Sequence, residues 1–181
     1  MSTPPERAAI GDQGPPATPG EQLFEHLLEI HAMLRRELAT VRDLASRAAA
    51  GAEAGAVRDE VRSLQSTSPL WRLRINCLYY CRFVHGHHTL EDHQLFPALR
   101  RSDPALGATV DRLEDDHRRV AEHTDETEAA AEALVADESL EARRRVVAAL
   151  TALADDLLAH LEFEEHAIGP AMRAWRELPI G

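Results

Sequence analysis

The chain has 181 residues and a formal net charge of -11, with 20 Lys and Arg against 31 Asp and Glu. That acidic balance, with no basic stripe to interrupt it, repels phosphate backbones and excludes nucleic acid as an expected partner. No apolar run approaches the roughly 20 residues needed to cross a bilayer, so no membrane partner is expected either.

The length suits one domain with a real core. Its opening stretch, Ser2 to Gly20 (STPPERAAIGDQGPPATPG), is rich in Pro, Gly and polar groups and has almost nothing large to bury. Residues 1–19 are therefore expected to remain a disordered arm, and they lack the apolar core of a secretory signal. A cytoplasmic location is the corresponding expectation. Cys77 and Cys81 lie one helical turn apart, a spacing that seldom meets disulfide geometry, and they read as reduced core residues.

Large apolar residues recur every three or four positions and strand-like alternation is absent, which predicts an all-α chain. The first helix is predicted from about Gly20 to Ala48, with Phe24, Leu27, Leu34, Leu38 and Val41 on one face. The stretch Ala49 to Ser68 reads as a connection with a partial helix around Val57 to Leu64. Ser68-Pro69 is a start signal for a second helix, which runs through Arg100 with a disturbance at Pro97. Its apolar stripe is Leu73, Cys77, Leu78, Cys81, Val84, Leu95 and Leu99. Ser102-Asp103-Pro104 opens a third helix carrying Leu106, Val110, Leu113, Val120 and Leu134. The fourth starts near Asp137 to Leu140 and buries Val146, Leu150, Leu153, Leu157, Leu161 and Ile168 before Gly169-Pro170 is expected to stop it. Four such helices predict an up-down antiparallel four-helix bundle over residues 20–170, with 171–181 as a short tail.

Polar residues interrupt all four stripes. Burying an unpaired carboxylate or charged imidazole costs several kcal/mol, so a core face excludes both unless they are paired or bind a metal. His31 falls between Leu27 and Leu34, and His117 between Leu113 and Val120. The second and fourth helices each carry a His and a Glu four apart, His87 with Glu91 and His160 with Glu164. That spacing sets imidazole and carboxylate on adjacent turns, where they can ligate one ion or let the carboxylate bridge two. Four imidazoles and two carboxylates suffice for two metal ions, and the donor set suits iron, manganese or zinc rather than calcium or magnesium. A lone inward His is usually a hydrogen-bonded core residue; six such residues in phase favour metal. Asp92, Asp116 and Glu165 could orient imidazoles, although charges next to a site are more often solvated. His26, His93, His123 and His166 fall off the stripes and read as surface residues. Trp71, Tyr79, Tyr80 and Trp175 read as packing groups.

The segments HHTLEDHQLFPAL (His87 to Leu99), DDHRRV (Asp115 to Val120) and HLEFEEHAIGP (His160 to Pro170), preceded by His31, resemble the hemerythrin-like, or HHE cation-binding, family. The resemblance covers residues 20–170. It implies a non-haem di-iron centre in a hemerythrin-like bundle, with His31, His87, Glu91, His117, His160 and Glu164 as ligands and an oxo or hydroxo bridge between two iron ions. The chain departs from oxygen-carrying hemerythrins, which have a second His four residues after the first on the third helix; here that position is Ala121. The second carboxylate is Glu164 rather than a later Asp. One metal thus lacks a nitrogen ligand, which His88 is placed to supply, and His85 reads as a supporting residue.

Two functions follow from this resemblance. One is binding of, or reaction with, O2, NO or peroxide, in sensing, scavenging or peroxide decomposition. The other is a non-enzymatic iron-binding or storage module whose stability or partners depend on metal. A redox partner or a second copy of the chain is the macromolecular contact consistent with either.

Overall fold

A computed structural model of the chain describes residues 16–50, 69–134 and 136–179, with the side chains of 69–72 left out. The partial helix expected around Val57 to Leu64, the Ser68 start signal, the Trp71 side chain and most of the N-terminal arm lie outside the described residues. Helix α1 spans Pro19–Ala49. Helix α2 is one rod in three pieces, α-helical over Pro69–Leu90, a π turn over Glu91–Leu95, and α-helical again over Phe96–Ser102. A 3-10 turn, Pro104–Leu106, leads into α3, Gly107–Ala133, and α4 spans Leu140–Arg173. The described residues contain no strand.

Local chemistry sets the helix ends. Thr18 caps α1: its hydroxyl accepts from Glu21 N–H at 3.1 Å, while Glu21 Oε2 accepts from Thr18 N–H at 2.6 Å. This reciprocal pair satisfies two of the donors every helix start leaves free. Helix α1 therefore begins within the stretch read as an arm, at Pro19. Ser139 caps α4 by accepting from Ala142 N–H, and the Asp103 carboxylate accepts from Ala105 N–H before α3.

Pairs of residues in contact fix the direction of each helix against its neighbours. Gly20 N–H donates to Trp175 C=O, and Arg143 donates to Ala48 C=O, so α1 and α4 run antiparallel. Tyr80 O–H donates to Leu34 C=O, while His31 meets His87, which makes α1 and α2 antiparallel. Arg100 meets Asp111 and Asp92 meets His117, so α2 and α3 are antiparallel as well. The pairs His117 with His160 and His123 with Asp156 complete the up-down bundle.

The apolar stripes do not make one continuous core. One cluster includes Leu34, Leu38, Leu73, Cys77, Val84, Val120, Leu150, Leu153, Leu157 and Leu161. The other, at the opposite end, includes Phe24, Leu27, Leu95, Phe96, Leu99, Val110, Leu113, Ile168, Met172 and Trp175. On every helix the polar intruders fall between the two. At about 1.5 to 3 kcal/mol for each fully buried large aliphatic side chain, the two clusters hold the polar layer from both sides. Burial pushes the thiols of Cys77 and Cys81 up to about 12, so both are free and inert.

Three sequence expectations need correction. Gly169-Pro170 does not end the fourth helix, which runs through Pro170 to Arg173, so the expected tail begins inside it. Gly169 serves a close approach instead: a Cβ there would lie 2.8 Å from Phe24 Cζ. The end of α4 is tied down as well, because Trp175 is buried and donates from Nε1 to Ser102 Oγ at 3.1 Å. In α2 the disturbance attributed to Pro97 begins earlier, where Phe96 N–H donates to Glu91 C=O across a π turn. Proline has no N–H for His93 C=O, and the wider turn just before it absorbs that loss. Finally, Tyr80 rather than Leu78 fills the core face, its hydroxyl satisfied by Leu34, whereas Tyr79 is 71% exposed and does not pack inside.

Glycine substitutions test this packing. Gly169→Ala should lower unfolding stability by about 1 to 3 kcal/mol because the buried Phe24 ring must move. Gly86→Ala, where an added Cβ meets nothing within 4 Å, should raise it by up to about 1 kcal/mol. Urea titrations of both variants check the opposite signs.

Candidate metal centre

Seven polar side chains share the layer between the two apolar clusters. Helix α1 contributes His31; α2 contributes His87, His88 and Glu91; α3 contributes His117; α4 contributes His160 and Glu164. All are buried, from 0% exposure at His31 and Glu164 to 7% at His87. The structure thus brings together every candidate ligand read from the sequence.

Their atoms converge in two groups. His31 Nε2 and His87 Nε2 are 3.1 Å apart, and with Glu91 they form one group whose ligand atoms all lie within 4.8 Å of one another. His88, His117, His160 and Glu91 form the second by the same measure. There His117 Nε2 and His160 Nε2 are 3.1 Å apart, and the His88 ring stacks on His117 with centroids 3.9 Å apart and planes within 8°. Consecutive helical residues project about 100° apart, so the His87-His88 dyad sends one imidazole to each group.

The glutamates lie between the groups. Glu91 Oε1 is 3.3 Å from His87 Nε2 and 4.0 Å from His31 Nε2, while its Oε2 is 3.5 Å from His117 Nε2. Glu164 Oε2 is 3.4 Å from His31 Nε2 and 3.7 Å from His160 Nε2. Each carboxylate therefore faces both groups, which is the placement a bridging ligand needs.

Within the protein this arrangement is electrostatically incomplete. Both oxygens of Glu91 and both of Glu164 are buried with no hydrogen-bond partner, as are His88 Nε2 and His160 Nδ1. Leaving a charged acceptor in that condition costs several kcal/mol. Burial and the neighbouring Glu164 push the Glu91 carboxyl well above its usual range. Burial, reinforced by nearby imidazoles, lowers His87 to about 3 and His117 to about 2, and holds His88 well below its usual value. His160 is lowered as well, chiefly by burial, against the opposing pull of Glu164 and Asp116. These imidazoles are neutral at pH 7 and offer lone pairs. Neutral nitrogen donors around two unsatisfied carboxylates fit multivalent transition-metal cations, which would reverse the penalty on the carboxylates.

Carboxylates behind the rings orient them. His31 Nδ1–H donates to Glu165 Oε1 at 2.9 Å, and the same oxygen accepts from Arg35 at 2.7 Å. His117 Nδ1–H donates to Asp92 Oδ1 at 2.7 Å. Each bond places the proton on Nδ1 and frees Nε2 to point into the layer. Asp116 is buried but sits 3.9 Å from His160 Nδ1, and it accepts from Arg119 at 2.5 Å instead. The sequence favoured solvation for Asp92, Asp116 and Glu165; the first and third instead tie down imidazoles.

His85 departs from expectation: it is exposed and supports no candidate ligand from inside. His26, His93 and His166 are exposed as read, and His123 is half-buried against Asp156 at 3.2 Å. Two contributors escaped the sequence reading. Phe96 stacks on His117 at 5.0 Å, and the π turn put it out of phase with an ideal α-helical stripe. Arg35 lies four residues after His31, a spacing that signals the same face.

The hemerythrin HHE cation binding domain matches residues 22–172, a span containing all seven buried side chains of the layer. No curated protein and no solved structure matches the chain. A match over most of the length, on a helical bundle with a buried His and Glu layer, shows that the chain belongs to the hemerythrin HHE cation-binding family.

Proposed function

We propose that the chain holds two iron ions in this layer and uses them to bind or react with O2, NO or peroxide. The observation that carries the reading is the pair Glu91 and Glu164, whose four carboxylate oxygens lie buried and unpartnered between two imidazole groups. In this assignment His31 and His87 would hold one ion, His88, His117 and His160 would hold the other, and Glu91 and Glu164, which face both groups, would be shared between them. Manganese and zinc suit the same donors, but closed zinc sites take four ligands and leave no reason for two shared carboxylates.

Bound iron would supply one-electron redox chemistry toward these small molecules. The chain's own part is to hold, orient and neutralise. Asp92 and Glu165 fix the His117 and His31 rings, and the apolar clusters exclude bulk water on both sides. Two imidazoles on one side against three on the other leave one ion with fewer protein donors, which supports a small-molecule site rather than a closed structural one. Sensing, scavenging and peroxide decomposition all fall within this reading, as does an electron-supplying partner. A cytoplasmic location belongs to it too.

The complete burial of His31 and Glu164 favours a second reading, in which metal is held for stability or storage. Stopped-flow mixing of the reduced, iron-loaded chain with O2, H2O2 and NO separates the two. Spectral change with at least one reagent is expected; a chain that melts higher with metal yet responds to none contradicts the redox reading.

Two further outcomes follow from the layer itself. Stripping the metal should lower stability by about 3 kcal/mol relative to the chain with free metal at roughly 100 times its dissociation constant, read as a drop in Tm. Asp92→Asn and Glu165→Gln should each weaken metal affinity by about tenfold or more in chelator competition, because each loosens the bond that orients an imidazole.

A further inference from the structure

A neutral imidazole that offers its Nε2 lone pair carries its one N–H on Nδ1, and a buried N–H needs an acceptor. For His31 and His117 a carboxylate fills that need, Glu165 Oε1 at 2.9 Å and Asp92 Oδ1 at 2.7 Å. His160 differs. Its Nε2 lies 3.1 Å from His117 Nε2 and belongs to the same converging group, yet its Nδ1 is buried with no hydrogen-bond partner.

A buried acceptor stands close by. Consecutive helical residues point about 100° apart, so while His117 enters the layer its neighbour Asp116 faces the back of the α4 imidazole. Asp116 is 5% exposed, and its Oδ2 lies 3.9 Å from His160 Nδ1. That is roughly 1 Å beyond a charge-assisted hydrogen bond. Two arginines hold the carboxylate back: Oδ1 accepts from Arg119 at 2.5 Å, and Arg112 Nε lies 3.9 Å from Oδ2. Arg112 also rests 3.5 Å over the Phe163 ring, which fixes its place. Arg119 is exposed and has a second carboxylate in reach, with its Nε 3.7 Å from Asp156 Oδ2. Asp156 in turn lies 3.2 Å from His123 Nε2.

The two claims on Asp116 are unequal. An exposed guanidinium that gives up a carboxylate regains water and loses little. A buried imidazole N–H has no water to turn to. With its Nε2 committed to a cation, the His160 ring must keep its proton on Nδ1, where it becomes a stronger donor toward a carboxylate.

We propose that Asp116 is the positioning residue of His160: when His160 Nε2 takes a cation, the Asp116 carboxylate passes from Arg119 to His160 Nδ1–H, and Arg119 turns to Asp156. This rests on the metal-binding reading above. It adds a third oriented imidazole and links the buried layer to the pair His123 and Asp156 at the surface.

Two variants with opposite outcomes test it. Asp116→Asn should weaken metal affinity by about tenfold or more in chelator competition with iron(II), because it leaves only a neutral acceptor behind His160. Arg119→Gln, which frees the carboxylate, should bind at least as tightly as the unmodified chain. If Asp116 served only to pair with Arg119, the two variants would behave alike. A readout independent of affinity is proton and nitrogen NMR of the zinc-loaded chain. There His160 should carry a slowly exchanging, downfield Nδ1–H like those of His31 and His117, and Asp116→Asn should shift that signal alone upfield. Tm with excess zinc checks that both variants fold. A His160 signal unchanged in Asp116→Asn, or equal loss of affinity in the two variants, overturns the proposal while leaving the metal-binding reading intact. An unmodified chain that takes up neither iron(II) nor zinc contradicts both.

Discussion

Two carboxylates placed where protein alone cannot satisfy them are the constraint on which this bundle is organised. Glu91 and Glu164 face one another across a layer of imidazoles, in a region at most 7% exposed. Either would carry a desolvation penalty of several kcal/mol if left ionised and unpaired. Hydrogen bonds are not what offsets it, since none reach their oxygens. Cations shared between the two glutamates would relieve both at once, and neutral imidazoles are donors that add no further negative charge. The apolar clusters above and below close the layer on both sides, so a charge left unpaired there would bear that cost.

The unequal division of imidazoles follows from two features of α2. The adjacent pair His87 and His88 splits between the groups because a helix turns about 100° per residue. The π turn that follows places Glu91 toward both groups and rotates Phe96 onto the His117 ring. Wide turns of this kind often accompany functional sites, and here Pro97 gives one a reason to exist. A cavity beside Ala121 lies against the group with three imidazoles, while a second, lined by Leu23, Ile30 and Leu90 together with His26 and Gln94, meets the group with two. Access and ligand count are therefore both asymmetric across a site whose skeleton is nearly symmetric.

Much of this was legible in the sequence because helical periodicity is a strict ruler. His31 between Leu27 and Leu34, and His117 between Leu113 and Val120, could only point inward. The pairs His87 with Glu91 and His160 with Glu164 announced a shared face for the same reason. What escaped depended on departures from the ideal helix or on contacts between helices. The π turn broke the phase that would have revealed Phe96, and Pro170 was tolerated because Met172 and Trp175 bury the turns beyond it. Gly169 looked like a stop signal, yet its purpose is the Phe24 ring, which is 145 positions away in the chain. The roles of Asp92 and Glu165 could not be read from charge alone, because solvated and orienting carboxylates look alike until a ring nitrogen is found 2.7 to 2.9 Å away. His85 failed in the opposite sense: it lies near the site along α2 but outside the buried layer.

The central claim is that cations shared by Glu91 and Glu164 account for charge at the centre of this bundle. Metal content per folded chain, after loading with iron(II) and removal of excess, tests it most directly. The account predicts two ions in the unmodified chain and loss of at least one in Glu91→Ala, with the remainder lost when Glu164→Ala is added. Two ions retained by the double variant, or none in a fully folded and iron-saturated unmodified chain, would contradict it.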